Sequence, residues 1–429
     1  MIPSLVRTLL AACIAGPGAA SSRTSIVILV AAVVTPAHAG WPTHRADVGR
    51  TGWADVDLPG DLGRFWHDAM PAPTPAWPNP ARGSYWQNLD HIEPRVVDDR
   101  AIHPVIVDRR VLLPSSTDDA LTCLDLASGE RLWRVVTDGP VRFAPAVADG
   151  RIVFGSDDGL LRCLSLDGDL LWSRRVGPDA PWIPGNGRLV SPFPIRTGVL
   201  VDEGVVYATA GLFPSQGVFV VACGLDDGEV LWTRTLQDRS PQGYLLATDD
   251  LLILPGGRAN PFALRRADGT DGPSFGGVGG TYALIADDEL LAGPGNDGTI
   301  VASDVRSGSQ VVSVPGRHLV VTPRISYAAS GRTLGALDRV RDRQVRRELA
   351  ARRAALRQDP TSIDAIDAVA ALERDLLDCV LWTREIEPAT AMIGAGDELL
   401  LATPEAILRL DRATGHTTNT WSIEADASG

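Results

Sequence analysis

A repeat of about forty residues, ending in Leu-Trp, restricts this chain more than any other feature. Its clearest copies close with Cys123-Leu-Asp-Leu-Ala-Ser-Gly-Glu-Arg-Leu-Trp133, Cys163-Leu-Ser-Leu-Asp-Gly-Asp-Leu-Leu-Trp172 and Cys223-Gly-Leu-Asp-Asp-Gly-Glu-Val-Leu-Trp232. Weaker copies run over Ala263 to Phe275, Ala302 to Val312 and Arg409 to Trp421. A seventh is split, beginning at Ala336-Leu-Asp338 and finishing at Leu381-Trp382. The turn glycines Gly129, Gly168, Gly228, Gly269 and Gly308 follow one another at 39, 60, 41 and 39 residues. The 107 residues from Gly308 to Gly415 hold two units and an insertion. A period near 40 with four short strands per unit predicts an all-β fold, a β-propeller of seven to eight four-stranded blades. One blade cannot bury both its faces. Radial stacking buries them, and Trp133, Trp172, Trp232, Trp382 and Trp421 are large enough to wedge neighbouring blades together.

The cleanest blade has strands at 144–148, 151–155, 161–166 and 170–176, with Asp149-Gly150 as a tight hairpin between the first two. Equivalent first turns are expected at Asp249-Asp250, Asp287-Asp288 and Ser330-Gly331. The Asp pairs in these turns read as turn formers, because adjacent residues in a turn rarely converge on one point.

Charge and composition remove several function classes. The net charge is −13, against a basic face for nucleic acid. All 40 basic residues are Arg. Without Lys there is no Walker-type phosphate loop, no pyridoxal Schiff base and no lysine nucleophile. No HExxH or CxxC occurs, and there is no GxSxG nucleophile elbow: the one match, Gly272-Pro-Ser-Phe-Gly276, runs into Gly276-Gly-Val-Gly-Gly280, a turn with no helix pattern after it. Cys123, Cys163 and Cys223 read as buried small thiols, Cys163 and Cys223 at the same place in their units and Cys123 within one residue of it. A disulfide between neighbouring units is the minor alternative.

Residues 1–39 read as a secretory signal. Arg7 and Arg23 precede the apolar run from Ile26 to Val34, and Ala37-His38-Ala39 makes a small-x-small cleavage pattern before Gly40. The run is too short to span a bilayer, and nothing later is long and apolar enough for a membrane helix. The minor alternative is a lipoprotein box, Leu10-Ala11-Ala12-Cys13. Either way an exported, periplasmic or envelope protein is expected. Residues 40–100 form an N-terminal extension with an outer strand near 60–68, and residues 101–429 the propeller.

The Leu-Asp-x-x-x-Gly-x-x-Leu-Trp endings resemble the pyrroloquinoline-quinone-like (PQQ-like) propeller repeat of quinoprotein dehydrogenases and of the propeller lipoprotein of outer-membrane barrel assembly. The chain is similar, more closely, to exported bacterial PQQ-binding-like propeller proteins, in Trp41-Pro-Thr-His-Arg-Ala-Asp, Arg50-Thr-Gly52, Pro75-Ala-Trp77, Gly139-Pro-Val-Arg-Phe-Ala-Pro145, Gly185-Asn-Gly-Arg188 and Pro241-Gln-Gly-Tyr-Leu245. The resemblance implies the fold and leaves the activity open. The dehydrogenases carry adjacent cysteines near the quinone, and this chain has none. Gly63-Arg-Phe-Trp66 looks like an outer strand without its own blade. Two arrangements follow: seven full blades plus a spare strand, or an eight-blade ring with an incomplete last blade.

Asp338 to Asp378 separate the third and fourth strands of one unit. They read as an inserted antiparallel helical hairpin, broken at Asp359-Pro360 and capped by Thr361 or Ser362, with Ile363, Ile366, Val369, Leu372 and Leu376 at helical spacing. It is either a decoration or a docking arm for an envelope protein partner. First-to-second and third-to-fourth turns share one face of a propeller, so the arm lies there. On the other face Arg142, Arg196, Gln242 and Tyr244 precede inner strands, His103 and Arg324 hold similar places, Arg188 rides a long loop, and Arg258 reaches inward. Converging guanidinium groups suit an anionic small ligand, and PQQ, with three carboxylates, is one. The reading is a non-catalytic scaffold that binds a ligand or a protein. The alternatives are a PQQ-dependent quinoprotein oxidoreductase using calcium and an outer-membrane assembly scaffold.

Overall fold

In the computed structural model the described residues are 9–11, 23–30, 40–60, 62–71, 103–185, 188–257, 259–276, 282–294 and 298–423. Seven sheets of four consecutive strands follow one another over 105–136, 146–175, 200–236, 246–274, 282–315, 318–385 and 391–422, and Trp53–Ala54 adds a fifth strand to the last, parallel to Ala391–Ala395. These are blades one to seven of a β-propeller. Each is antiparallel in chain order, and the first strands of successive blades approach one another around the axis. A further antiparallel sheet joins Leu9–Ala11, Arg23–Val30 and Gly63–Pro71. No helix among the described residues is long and apolar enough to cross a membrane.

The Leu-Asp-x-x-x-Gly signature builds the turn between third and fourth strands. Asp125 Oδ1 accepts from the amides of Ala127 and Ser128, and Asp304 and Asp411 do the same with Ser307 and Thr414. Such an aspartate mimics a backbone turn. The amide hydrogen bond from Ser307 holds Asp304 below its ordinary carboxylate value, and the Thr414 hydroxyl does so for Asp411.

The tryptophans join the blades by one repeated contact. Trp133 Nε1 donates to the Leu166 carbonyl of the next blade (3.0 Å), Trp172 to Leu225 (2.9 Å), Trp232 to Arg266 (2.7 Å) and Trp382 to Arg412 (3.1 Å). Each ring covers the turn glycine of that next blade, respectively Gly168, Gly228, Gly269 and Gly415, all at positive φ. A Cβ on Gly269 would sit 2.6 Å from the Trp232 ring, so the repeat needs glycine there for packing as well as for backbone shape. Trp421 donates to Leu62, and Trp66 to Leu126 of blade one (2.9 Å). The stretch from Leu62 to Trp66 thus receives and passes on the contact as a blade would. Blade four has Pro273 in place of the tryptophan, set against the turn glycine Gly308 of blade five.

Two expectations shift. Cys123 and Cys163 lie opposite Trp133 and Trp172 in the ladder, but in blade three Ala222 lies opposite Trp232 and Cys223 is one residue further on. The turn after Cys163 is a residue tighter, closing Gly168 N onto Ser165 O where blade one closes Gly129 N onto Asp125 O, so counting back from the tryptophan misaligns the units. In blade six Ser330-Gly331 joins the second and third strands. The first strand is His318–Val321, an apolar run that starts before Arg324.

The hairpin consists of α1 (Arg339–Gln358) and α2 (Ile363–Leu377), between the last two strands of blade six. Asp338 caps α1 by accepting from Arg341 N, and Ser362 caps α2 by accepting from Ala365 N.

Candidate functional site

Residues 41–54 run through the axis of the ring. Trp41 exchanges two backbone hydrogen bonds with Ile106 of blade one (2.8 and 2.9 Å). The Pro42 carbonyl accepts from Val147 of blade two, Gly49 from Ile285 of blade five, Thr51 from Val321 of blade six, and Gly52 and Ala54 from Gly394 and Gly396 of blade seven. First strands that face an axis have no blade neighbour on that side, and this segment satisfies their amides. The path requires positive φ at Arg45, Ala46, Arg50 and Gly52. Asp47 steadies it by accepting from the Thr51 amide (3.1 Å).

Arg50 is the centre of this plug and is fully buried. Its Nε donates to the Leu245 carbonyl (3.1 Å), and its Nη1 to Thr43 Oγ1 (2.6 Å), His44 O (3.1 Å) and Asp47 O (3.2 Å). Burial pulls its guanidinium down to about 10. Beside it the His44 ring stacks on Tyr244 with centroids 3.6 Å apart, and His103 (4.2 Å from His44) and Phe143 (5.3 Å from Tyr244) complete an aromatic cluster. The Tyr244 hydroxyl accepts from Ala144 N (2.9 Å). Burial, followed by the charges of His103, Arg50 and Arg45, pushes the His44 imidazole well below its ordinary value, so it sits neutral.

The expected arginine mouth is resolved only in part. Arg142 and Arg196 do come together, but on a carboxylate: Arg142 Nε lies 2.8 Å and Arg196 Nε 3.9 Å from buried Asp157. Tyr244 joins the plug, while Gln242 is an exposed residue whose amide bonds Pro255 O. Arg188 lies in a strand, Arg188–Val190, with its side chain outside the described residues, as is all of Arg258. Arg324 is not at the mouth. It lies in the first turn of blade six and pairs with Asp338 (2.8 Å) at the foot of the arm. Sequence reasoning missed His44, Arg50 and Asp157. The available signal was the motif from Trp41 to Gly52, polar and without a period-two pattern, which is incompatible with a blade strand.

Pyrroloquinoline quinone, which the fold family implies, does not fit these residues. Arg142 and Arg196 already share the carboxylate of Asp157, and the adjoining axis is filled by Arg50, His44 and Tyr244. Among the described residues no three His, Cys, Asp or Glu side chains converge for a metal ion. Cys123, Cys163 and Cys223 are free and buried, and burial raises their thiols to about 12, 11 and 11. They are inert structural residues.

Comparison with known proteins agrees with this architecture. Residues 63–193 match the family model described as outer membrane protein assembly factor BamB. The outer membrane protein assembly factor BamB of Yersinia pestis is 27% identical over 157 residues, 35% of this chain and 36% of that one, so the match spans about a third of the curated relative's length. A quinohemoprotein alcohol dehydrogenase from Comamonas testosteroni superposes with a TM-score of 0.55 at 11% identity, over 89% of this chain and 73% of that one. The computationally designed protein Ika8 does so at 0.53 and 15% identity, over 75% and 86%. At such identities the likeness to solved structures is one of fold. The chain is a PQQ-like β-propeller, and its stretch from Gly63 to Phe193 carries the similarity to the assembly factor.

Proposed function

We propose that this protein is an exported, non-catalytic propeller that serves the cell envelope as a protein-docking scaffold, with the arm from Asp338 to Asp378 as its docking element. One observation carries the reading. The axis, where a ring of this kind has room for a small molecule, is filled by residues 41–54 of the chain itself, while the arm presents side chains to solvent. Similarity over residues 63–193 to an outer membrane assembly factor supports the envelope setting. Residues 1–39 as an export signal belong to the same proposal.

Replacing residues 339–378 by a four-residue turn like that after Asp125 tests it. Cross-linking in the envelope is expected to lose its adducts, and an unchanged set overturns the role given to the arm. Incubation of the mature protein with pyrroloquinoline quinone, calcium, an alcohol and a redox dye is expected to give no dye reduction. Turnover would establish the oxidoreductase alternative instead.

A further inference from the structure

The arm carries an apolar stripe that its own fold does not cover. Helix α2 packs against α1, and Val369, Leu372 and Leu376 are half-buried. Ile363 and Ile366, which share the helical spacing of that set, face outward instead, 72% and 46% exposed, in line with Ala370 and with Leu377 at 73%. Positions 363, 366, 370 and 377 recur at intervals of three, four and seven, the pattern of a helix seam. So α2 has two apolar stripes and one partner.

The charges say what covers the second stripe. Helix α1 holds eight arginines against Asp342 and Glu348, and α2 holds Asp364, Asp367, Glu373 and Asp375 against Arg374. Arg347 and Arg357 are exposed and form no ion pair among the described residues, whereas Arg353 is matched by Glu373 at 2.7 Å. Asp364 and Asp367 flank the open stripe. The occupant must therefore be a helix with a small-residue face and basic flanks. The exposed side of α1 is such a helix, with Ala351 and Ala355 between Arg347 and Arg357.

We infer that the arm's partner is a second copy of this chain: α2 of each copy lies along α1 of the other, antiparallel, making a two-fold four-helix bundle. The contact is self-complementary, as an isologous pairing requires, because one arm supplies both the basic and the acidic surface. This rests on the reading of the arm as a docking element and names its occupant.

Light scattering behind size exclusion on the full chain tests it. The wild type is expected at twice 45.6 kDa at low salt, returning to single mass in high salt. The I363D/I366D variant is expected as a monomer. So are R347E/R357E and D364R/D367R alone, while an equimolar mixture of those two restores the dimer, since each arm then offers the other its opposite charge. A monomeric wild type, a dimer that survives I363D/I366D, or a mixture that stays monomeric overturns the pairing. Envelope cross-links lost on arm removal alongside a monomeric wild type would refute only the second copy and leave the docking role standing.

Discussion

Two segments break the repeat, and the ring holds them in opposite ways. The plug, residues 41–54, is tied by backbone hydrogen bonds to the first strands of five blades, and Arg50 reaches a carbonyl next to a sixth. The arm is three times as long but is fastened at its foot, where buried Arg339 meets Asp287 and the carbonyls of Thr322 and Pro323, and Arg343 meets Glu289 (3.0 Å). Helix α2 has no buried residue. Backbone contacts are largely indifferent to side-chain identity, so the plug's task is to complete the ring. The arm's outer surface is made of side chains, and side chains carry recognition.

The largest effect should separate the two directly. Arg50→Ala leaves the carbonyls of Leu245, His44 and Asp47 and the Thr43 hydroxyl without their donor, inside a cavity. It is expected to cost about 3–5 kcal/mol of global stability in urea unfolding. Removing the arm should cost less, about 1–2 kcal/mol by the same measurement, because only Arg339, Asp342, Val345 and Leu349 of its two helices are buried. Equal losses would erase the distinction.

The sequence revealed the ring and not the plug. Blades are local: Asp125, Gly129 and Trp133 sit within nine residues, and their spacing shows the turn, the close approach and the wedge. The five tryptophans named from the repeat each donate to a backbone carbonyl of a neighbouring unit. The arm's boundaries were legible for the same reason, from caps and helical spacing. The plug is non-local: Arg50 reaches Leu245 across 195 residues, and nothing near Arg50 in sequence says which carbonyls await it. The surroundings of the expected arginine mouth were hidden on the same ground. Arg142 and Arg196 could be placed on one face, but the carboxylate between them comes from a loop, Ser156-Asp157-Asp158-Gly159, whose residues looked like an ordinary turn.

A pair of glycines measures how much of the common frame rests on the tryptophan contact. Gly269 and Gly150 have nearly equal φ, +71° and +72°. A Cβ at Gly269 meets Trp232, and at Gly150 nothing lies within 4 Å. The backbone penalty of alanine is therefore shared, and the difference is the docking contact alone. Gly269→Ala is expected to exceed Gly150→Ala by about 1–3 kcal/mol in urea unfolding. Matching values would mean that the tryptophans fill space without joining blades.

At the arm's foot, Arg339→Ala removes a buried donor to the Thr322 and Pro323 carbonyls and the partner of Asp287. A loss of about 1–2 kcal/mol is expected, and it should be local. Hydrogen exchange should quicken at α1 amides while the blade strands keep their protection. Faster exchange throughout the ring would show that the arm's root is part of the frame after all.

The smallest effect concerns the plug's response to acid. The imidazole of His44 is held neutral by burial and by His103, Arg50 and Arg45 around it, so its folded pKa lies below the ordinary 6.5. Between those two values the unfolded chain binds a proton that the folded chain refuses, and stability must fall as pH drops through that window. The urea midpoint of the wild type is expected to decline below about pH 6.5. His44→Gln, which keeps a neutral polar side chain against Tyr244, should decline less over the same range. The arm-deleted protein should follow the wild-type curve, because His44 lies at the axis and Arg339 at the rim. Parallel curves for the wild type and His44→Gln would mean that His44 takes up its proton inside the ring. The plug would then have to tolerate a charge beside Arg50, which a segment packed for permanence could not do without opening.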